Sequence, residues 1–134
     1  MNLVVFFDHP EAGLVSVAGG KGSNLSALAA AGFPVPPGFV VTAQAYALFL
    51  EDVEGLDRDL ADLDYGRPER LRDQCARLRQ RLGQVPLPAP VREAVRSALV
   101  QARAGSDSAF AVRSSSTFED LAQAAFAGQH DTYL

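Results

Sequence analysis

The stretch Gly-Gly-Lys-Gly at residues 19–22 constrains the fold more than any other part of this chain. Glycine has no Cβ, so the backbone here can adopt conformations closed to other residues and can approach a ligand closely. The lysine is the only one in the chain, against eleven arginines, and its ammonium is a compact charge rather than a planar fork. The spacing of Leu25, Leu28 and Ala29 predicts a helix that begins at this stretch and buries its leucine face.

Lys21 lies where that helix is predicted to begin, and the N-terminal end of a helix carries partial positive charge. A lysine is unfavourable there unless an anion is bound, and exposed N–H groups, the helix end and the ammonium together would form a phosphate site. The alternative is a glycine turn with a solvated lysine. The P-loop pattern is not met, because Val15 stands at its first glycine position and Gly22 at its hydroxyl position.

A second signal lies near the other end of the chain. Residues 109–112, Ala-Phe-Ala-Val, are an apolar run that predicts a short buried strand, and Arg113 follows directly. The next four residues, 114–117, all carry hydroxyls. An arginine can bind phosphate oxygens with two parallel hydrogen bonds, and hydroxyls can donate to the same oxygens.

Structural roles are equally open for this second stretch. Ser116 and Glu119 have the spacing of a capping box for a short helix from about Phe118. Arg113 can form an ion pair with Glu119 or Asp120. At this point the residues alone do not separate a phosphate site from these alternatives.

Four blocks of sequence, in order and at suitable separations, resemble one family. They are residues 19–22, then Ala-Gly-Phe-Pro-Val-Pro-Pro-Gly-Phe-Val-Val-Thr at 31–42, Val-Arg-Ser-Ser at 112–115 and Phe-Ala-Gly-Gln at 126–129. The family is the nucleotide-binding domain of phosphoenolpyruvate synthase, pyruvate phosphate dikinase and rifampicin phosphotransferase. The resemblance implies an α/β (α+β) fold: the first subdomain of an ATP-grasp fold, with a mixed sheet, packed helices and a helical hairpin in the middle.

The resemblance also implies which residues contact ATP. Lys21 and Arg113 would neutralise the phosphates, Gly128 would let the backbone approach the nucleotide, and Thr132 would offer a hydroxyl to it. Further candidates for contacts with ATP are Gly20, Ser114, Ser115 and Gln129. In the family, ATP lies between two ATP-grasp subdomains, and this chain is similar to the first of them.

A reaction follows from the same resemblance. A phosphoryl group passes from ATP to a histidine on another domain and from there to a small acceptor, with release of AMP. Magnesium would be held by acids on the second ATP-grasp subdomain, outside this chain. The acceptor stays open between pyruvate, phosphate with pyruvate, and a rifamycin. Two other classes also stay open: a stand-alone nucleotide-binding or regulatory module without catalysis, and a ligand-free structural relic.

Neither histidine is predicted to carry the phosphoryl group. His9 precedes Pro10 in a predicted turn and is expected at the surface. His130 follows Gly-Gln, which places it near the nucleotide, and Gln-His-Asp is more similar to the rifampicin phosphotransferase branch of the family. No catalytic residue and no metal ligand is predicted within the chain.

Composition predicts one domain over residues 1–134, with an ordinary hydrophobic fraction of 48%. The net charge of −4 argues against nucleic acid or an anionic membrane as a partner. No run approaches the roughly 20 apolar residues of a membrane span, the start lacks a basic signal region, and Cys75 is the sole cysteine. These features predict a cytoplasmic protein. Because the chain ends in a strand-like run, a fragment of a larger multidomain enzyme is expected.

Local patterns predict strands over residues 3–7, 14–18 and 38–42, with a helix from the glycine stretch that ends at Gly32 and Pro34. Thr42 is predicted to cap the next helix. The apolar face of that helix comprises Tyr46, Phe49, Leu50 and Val53.

Two further helices are predicted in the middle of the chain, one opened by Pro68 and one over residues 91–102, as a hairpin with one face on the core. The apolar stripe of the first comprises Leu71, Cys75, Leu78 and Leu82. The arginines of residues 67–81 are predicted to form a solvated helix face paired with its own acids. A polyphosphate or nucleic-acid patch is the alternative.

Overall fold

The computed structural model describes residues 2–103, 109–117 and 132–133 of the chain. In chain order its elements are β1 (Val4–Phe6), a 3₁₀ turn (Pro10–Gly13), α1 (Val15–Ala30), β2 (Phe39–Val41), α2 (Ala43–Glu51), α3 (Leu56–Ala61), α4 (Pro68–Gln84), α5 (Ala89–Ala102), β3 (Val112–Arg113) and β4 (Thr132–Tyr133). The described part is therefore mostly helical with short strands, which confirms the broad α+β class. None of these helices is long and apolar enough to cross a membrane.

The strands of the described ranges form two separate antiparallel pairs. In the first, β1 lies beside β2 with Val5 opposite Val40, and both side chains are buried. In the second, β3 lies beside β4. The predicted mixed sheet is thus not present in these ranges, where every strand pair is antiparallel.

The core lies between the first strand pair and the helices that pack on it. Its central cluster consists of Val5, Ala12, Ala18 and Val40. Helix α5 packs on β1 and β2 and buries Val91 and Ala98, as predicted for this helix. Small side chains dominate this cluster, so the elements approach one another closely and the core depends on backbone geometry as well as on apolar area.

Thr42 caps helix α2 as predicted and is almost completely buried, with 1% of its surface exposed. Its hydroxyl accepts a hydrogen bond from the Ala45 N–H at 3.3 Å and donates to the Asn2 carbonyl at 2.9 Å. The same oxygen therefore satisfies one of the unpaired N–H groups of the helix end and holds the residue that leads into β1. The end of β2, the start of α2 and the start of β1 are joined at this point.

The prediction of a strand over residues 14–18 was wrong, since helix α1 begins at Val15. The N–H groups of Val17 and Ala18 donate to the Leu14 carbonyl at 3.0 and 2.9 Å. Helical geometry buries Ala18 in the core, while Leu14 and Val15 remain about half exposed. A short apolar run fits a strand and a helix equally well, and packing decided between them here.

The buried face of α1 also differs from the predicted leucine face. Ser23 and Ser26 are buried, whereas Leu28 is 44% exposed. The serines are stable there because their hydroxyls donate to backbone carbonyls, Ser23 to Gly20 at 3.0 Å and Ser26 to Phe7 at 2.7 Å. Small hydroxyl residues allow the helix to approach the strands more closely than leucines would.

Helix α1 ends at the signals that the sequence carries. Gly32 adopts a left-handed conformation with φ 82°. Its N–H donates to the Ala29 carbonyl at 3.0 Å, and the Phe33 N–H donates to the Leu28 carbonyl at 3.1 Å. This is the Schellman arrangement, which satisfies the last carbonyls of a helix and favours glycine at this position.

Helix α4 begins at Pro68 as predicted, but none of its residues is buried. Its contacts are instead with α3 and the loop that follows it. The Gln74 side-chain amide donates to the Asp62 carbonyl at 2.9 Å and accepts from the Asp64 N–H at 2.9 Å. The predicted hairpin is therefore correct for α5 and wrong for α4, whose apolar stripe is only half-buried.

Candidate functional site

Helix α1 contains a sharp kink at Gly19, which divides it into two helical segments. Gly19 has φ 70° and ψ 177°, a combination that is essentially restricted to glycine. The second segment begins at Gly20, so Lys21 lies in the first turn of a helix, as predicted. The glycine stretch therefore forms a second helix start inside the chain's first long helix.

The segment after β3 lies directly against this kink. The Gly20 N–H donates to the Ser116 carbonyl at 2.9 Å, and the Gly22 N–H donates to the Ser115 hydroxyl oxygen at 3.0 Å. The same Ser115 hydroxyl donates to the Ala18 carbonyl at 2.7 Å. The two motifs that the sequence singled out, more than ninety residues apart, thus form one hydrogen-bonded unit.

Contact between the two segments is so close that it requires glycine. A Cβ on Gly19 would lie within 2.5 Å of the Ser115 carbonyl carbon and of its hydroxyl oxygen. A Cβ on Gly22 would lie 3.0 Å from both Ala18 Cβ and Val40 Cγ2. Gly19 and Gly22 therefore allow segments of the protein to pack together, whereas the sequence predicts that glycines here allow a ligand to come close.

The N–H groups of Gly20 and Gly22 are therefore already paired within the protein, so the prediction that N–H groups of this stretch are exposed is wrong for these two. Ser115 is likewise engaged, because a hydroxyl has one hydrogen to donate and Ala18 receives it. Direct donation from Ser115 to a phosphate would break that bond. The structure gives Gly20 and Ser115 contacts that hold the site together.

Lys21 lies between the two bonded glycines and is half-buried. Its backbone position is fixed on both sides, by the bond from Gly20 to Ser116 and by the bond from Gly22 to Ser115. An ammonium in the first turn of a helix favours an anion nearby. The predicted phosphate-binding lysine therefore occupies a well-defined point on the kinked helix.

Arg113 lies on β3 directly opposite Thr132 on β4. The arginine is exposed, as is Ser114 after it. Val112 is 63% exposed, so the prediction of a buried strand is wrong for the residue that precedes Arg113. The described pair of strands spans only two residues on each strand. Phe110 lies just before β3, and the guanidinium of Arg103 lies 5.7 Å from the centre of its ring.

Several sequence-based predictions fall outside the described residues. They concern Glu119, Asp120, Gly128, Gln129 and His130, and with them the capping box and the possible ion pair of Arg113. Of Thr132 the structure describes the backbone pairing alone. His9 is exposed, as expected, and its Nδ1 accepts from the Glu11 N–H at 3.2 Å.

The arginine-rich helix α4 forms a separate charged cluster. Asp64 pairs with Arg67 at 3.8 Å and with Arg70 at 3.7 Å, and Arg81 pairs with Asp59. The acids come from α3 and the loop after it, whereas the sequence had suggested acids on the same helix. A cleft of about 580 Å³ beside them has arginine and aspartate in its lining, so its charge is mixed.

The described residues contain no group of three or more histidine, cysteine, aspartate or glutamate side chains that could hold a metal ion. Lys21 and Arg113 lie on the two chain segments that the hydrogen bonds at the kink join.

Comparison with known proteins agrees with this picture. The family model described as pyruvate phosphate dikinase, AMP/ATP-binding domain matches residues 15–134. A rifampicin phosphotransferase from a Streptomyces species is 47% identical over 137 residues, which cover 98% of this chain and 16% of the relative. A probable phosphoenolpyruvate synthase from Methanothermobacter thermautotrophicus is 41% identical over 139 residues, 98% of this chain and 20% of the relative.

Another probable phosphoenolpyruvate synthase, from Methanocaldococcus jannaschii, is 37% identical over 140 residues, which cover 100% of this chain and 12% of the relative. The chain belongs to the pyruvate phosphate dikinase AMP/ATP-binding domain family, which confirms the resemblance carried by the four sequence blocks. It spans a fifth or less of the length of these three relatives.

Proposed function

We propose that this chain is the ATP-binding part of a dikinase-type phosphotransferase and that it corresponds to the first subdomain of an ATP-grasp fold. In such an enzyme a phosphoryl group passes from ATP to a histidine on another domain and then to a small acceptor, with release of AMP. The observation that carries the proposal is the hydrogen-bonded unit between the Gly19 kink and residues 115–116. It places Lys21 and Arg113 on segments that are fixed to each other.

Two cations held in this way suit the chemistry of phosphoryl transfer. The transferring group spreads negative charge over its oxygens, and catalysis depends mainly on positioning and on stabilising that charge. Lys21 supplies a point charge at a helix start, and Arg113 supplies a planar fork that can bind two oxygens at once. Thr132, directly opposite Arg113, is proposed to donate its hydroxyl to the nucleotide, and Gly128 to let the backbone approach it.

The described residues contain no group of three or more histidine, cysteine, aspartate or glutamate side chains that could hold a metal ion. On the family resemblance we assign the magnesium ligands, with the second wall of the ATP cleft and the phosphohistidine, to partner domains outside this chain. The matching family model is described as pyruvate phosphate dikinase, and the named relatives include a rifampicin phosphotransferase and phosphoenolpyruvate synthases. Pyruvate, phosphate with pyruvate, and a rifamycin are therefore all candidate acceptors. A cytoplasmic location is proposed on the composition of the chain.

A nuclear magnetic resonance titration tests the proposal. The ¹⁵N-labelled chain is titrated with ATP, with and without magnesium, at constant ionic strength. Shift changes are expected at residues 19–22 and 113–117. Changes confined to the arginines of α4 would instead favour the polyphosphate patch, and the absence of any change up to millimolar ATP would overturn the proposal.

A further inference from the structure

The side chain of Ser115 bonds to the backbone of helix α1 on both sides of the Gly19 kink, and so links the two segments of the proposed site. Its hydroxyl donates to the Ala18 carbonyl at 2.7 Å and accepts from the Gly22 N–H at 3.0 Å. These two partners lie on opposite sides of the Gly19 kink, one at the end of the first helical segment and one in the first turn of the second. One oxygen atom therefore bridges the kink.

The Ala18 carbonyl needs such a partner because the kink interrupts the helix. Gly19 departs from helical geometry, so the regular hydrogen-bond ladder of α1 is broken at this point. Ala18 is buried, with 2% of its surface exposed, and a buried carbonyl without a partner is costly. The Ser115 hydroxyl satisfies it, and the conformation of the kink is thereby linked to the segment that follows Arg113.

The position of Lys21 depends on the same atom. Lys21 immediately precedes Gly22, whose N–H is held by Ser115, and Arg113 is two residues before Ser115 in the chain. A shift of residues 113–116 along the kink would break both bonds of the hydroxyl. Together with the bond from Gly20 to Ser116, the Ser115 hydroxyl therefore fixes the backbone that carries Lys21 relative to the backbone that carries Arg113.

We infer that Ser115 is a positioning residue for ATP binding: it aligns Lys21 with Arg113 and does not itself contact the phosphates. This inference rests on the proposed function, since it concerns the same site. Positioning in advance avoids the cost of ordering two cationic side chains when the ligand binds. The bonds to Ala18 and Gly22 would therefore contribute to ATP affinity through Lys21.

The test compares Ser115→Ala with Ser26→Ala in the full 134-residue chain. Ser26 is a matched control on helix α1, because it is buried and its hydroxyl also donates to a backbone carbonyl at 2.7 Å, that of Phe7. Ser115→Ala is expected to weaken ATP binding about tenfold. Ser26→Ala is expected to lower the melting temperature while leaving ATP affinity unchanged.

A double-mutant cycle separates positioning from a general loss of structure. Lys21→Ala should reduce ATP affinity less in the Ser115→Ala background than in the wild-type chain, because the ammonium is no longer held in place. Equal effects of Lys21→Ala in both backgrounds would overturn the inference. Hydrogen exchange without ATP adds an independent readout: the Gly22 amide should lose protection in Ser115→Ala and keep it in Ser26→Ala.

If Ser115→Ala does not fold, Ser115→Cys under reducing conditions replaces it, since a thiol is a weak donor and acceptor in a similar shape. If the wild-type chain binds ATP and the variant at Ser115 binds it with the same affinity, the inference is overturned and the proposed function stays intact. A wild-type chain that does not bind ATP would overturn both.

Discussion

The backbone of Ser115 lies against Gly19 with no room for a side chain between them. A Cβ on Gly19 would lie within 2.5 Å of the Ser115 carbonyl carbon, well inside the distance at which two carbon atoms repel. Gly19 also has a positive φ of 70°, which disfavours any residue with a Cβ. Steric and conformational demands thus coincide at one glycine, at the centre of the candidate site.

Gly19→Ala is therefore expected to destabilise the chain strongly, by about 3 kcal/mol, because it combines backbone strain with an overlap against backbone atoms. In a thermal melt this corresponds to a decrease of roughly 10 °C. Gly13→Ala is the control, since a Cβ there would have nothing within 4 Å. That variant should be neutral or slightly stabilising. Similar melting temperatures for both variants would show that the close contact is not maintained in solution.

Lys21→Ala is expected to weaken ATP binding by about tenfold or more while the fold is retained, since one charge-assisted contact to phosphate is lost. Calorimetric or spectroscopic titration with ATP measures the effect. Arg72→Ala is the control, because it also removes one positive charge but from an exposed position on α4. If the two variants bound ATP equally well, net charge rather than Lys21 would account for nucleotide binding.

Thr42 provides a prediction about the fold that is independent of ATP. Thr42→Val keeps the shape of the side chain but removes the hydroxyl that bonds Ala45 and Asn2, and it should cost about 2 kcal/mol. Thr42→Ser keeps the hydroxyl and should cost about 1 kcal/mol for the lost methyl group. Urea unfolding of both variants is the measurement. The opposite order would mean that methyl packing, and not the helix cap, makes Thr42 important.

The 134-residue chain alone is expected not to release AMP from ATP. Phosphoryl transfer relies on a metal to neutralise developing charge, and the magnesium ligands and the second wall of the ATP cleft are proposed to lie on other domains. The purified chain is incubated with ATP, magnesium and either pyruvate or a rifamycin, and AMP is measured by chromatography. Turnover that persists through purification and is lost in Lys21→Ala would contradict this expectation.

Local signals predicted the parts of the fold that depend on neighbouring residues. Thr42 as a helix cap and Gly32 as a helix end could both be read from a few residues, because each acts on atoms within one or two turns of helix. The same holds for α5, whose apolar spacing matches its packing on β1 and β2.

Features that depend on distant contacts were not predictable in this way. The helix at Val15 resembles a strand in sequence, and only the packing of Ala18 in the core distinguishes them. Ser115 bonds to Gly22 and Ala18, which precede it by 93 and 97 positions, and the sequence has no local signal for contacts at such separations. The sequence indicates Ser115 as a possible ATP contact, because it lies in a run of hydroxyls after Arg113, but it has no signal for the bonds of Ser115 to Ala18 and Gly22.

The long separation between Gly22 and Ser115 has a consequence for the order of folding. Closing a flexible loop of more than ninety residues costs about 4 kcal/mol in chain entropy. The three hydrogen bonds at the kink contribute about 3 kcal/mol in total. The two values are of similar size, so the bonds give the contact little net stability, and we expect it to form after helices α2 to α5 have shortened the path between the segments. The proposed ATP site would then be among the last parts of the chain to form and among the first to open.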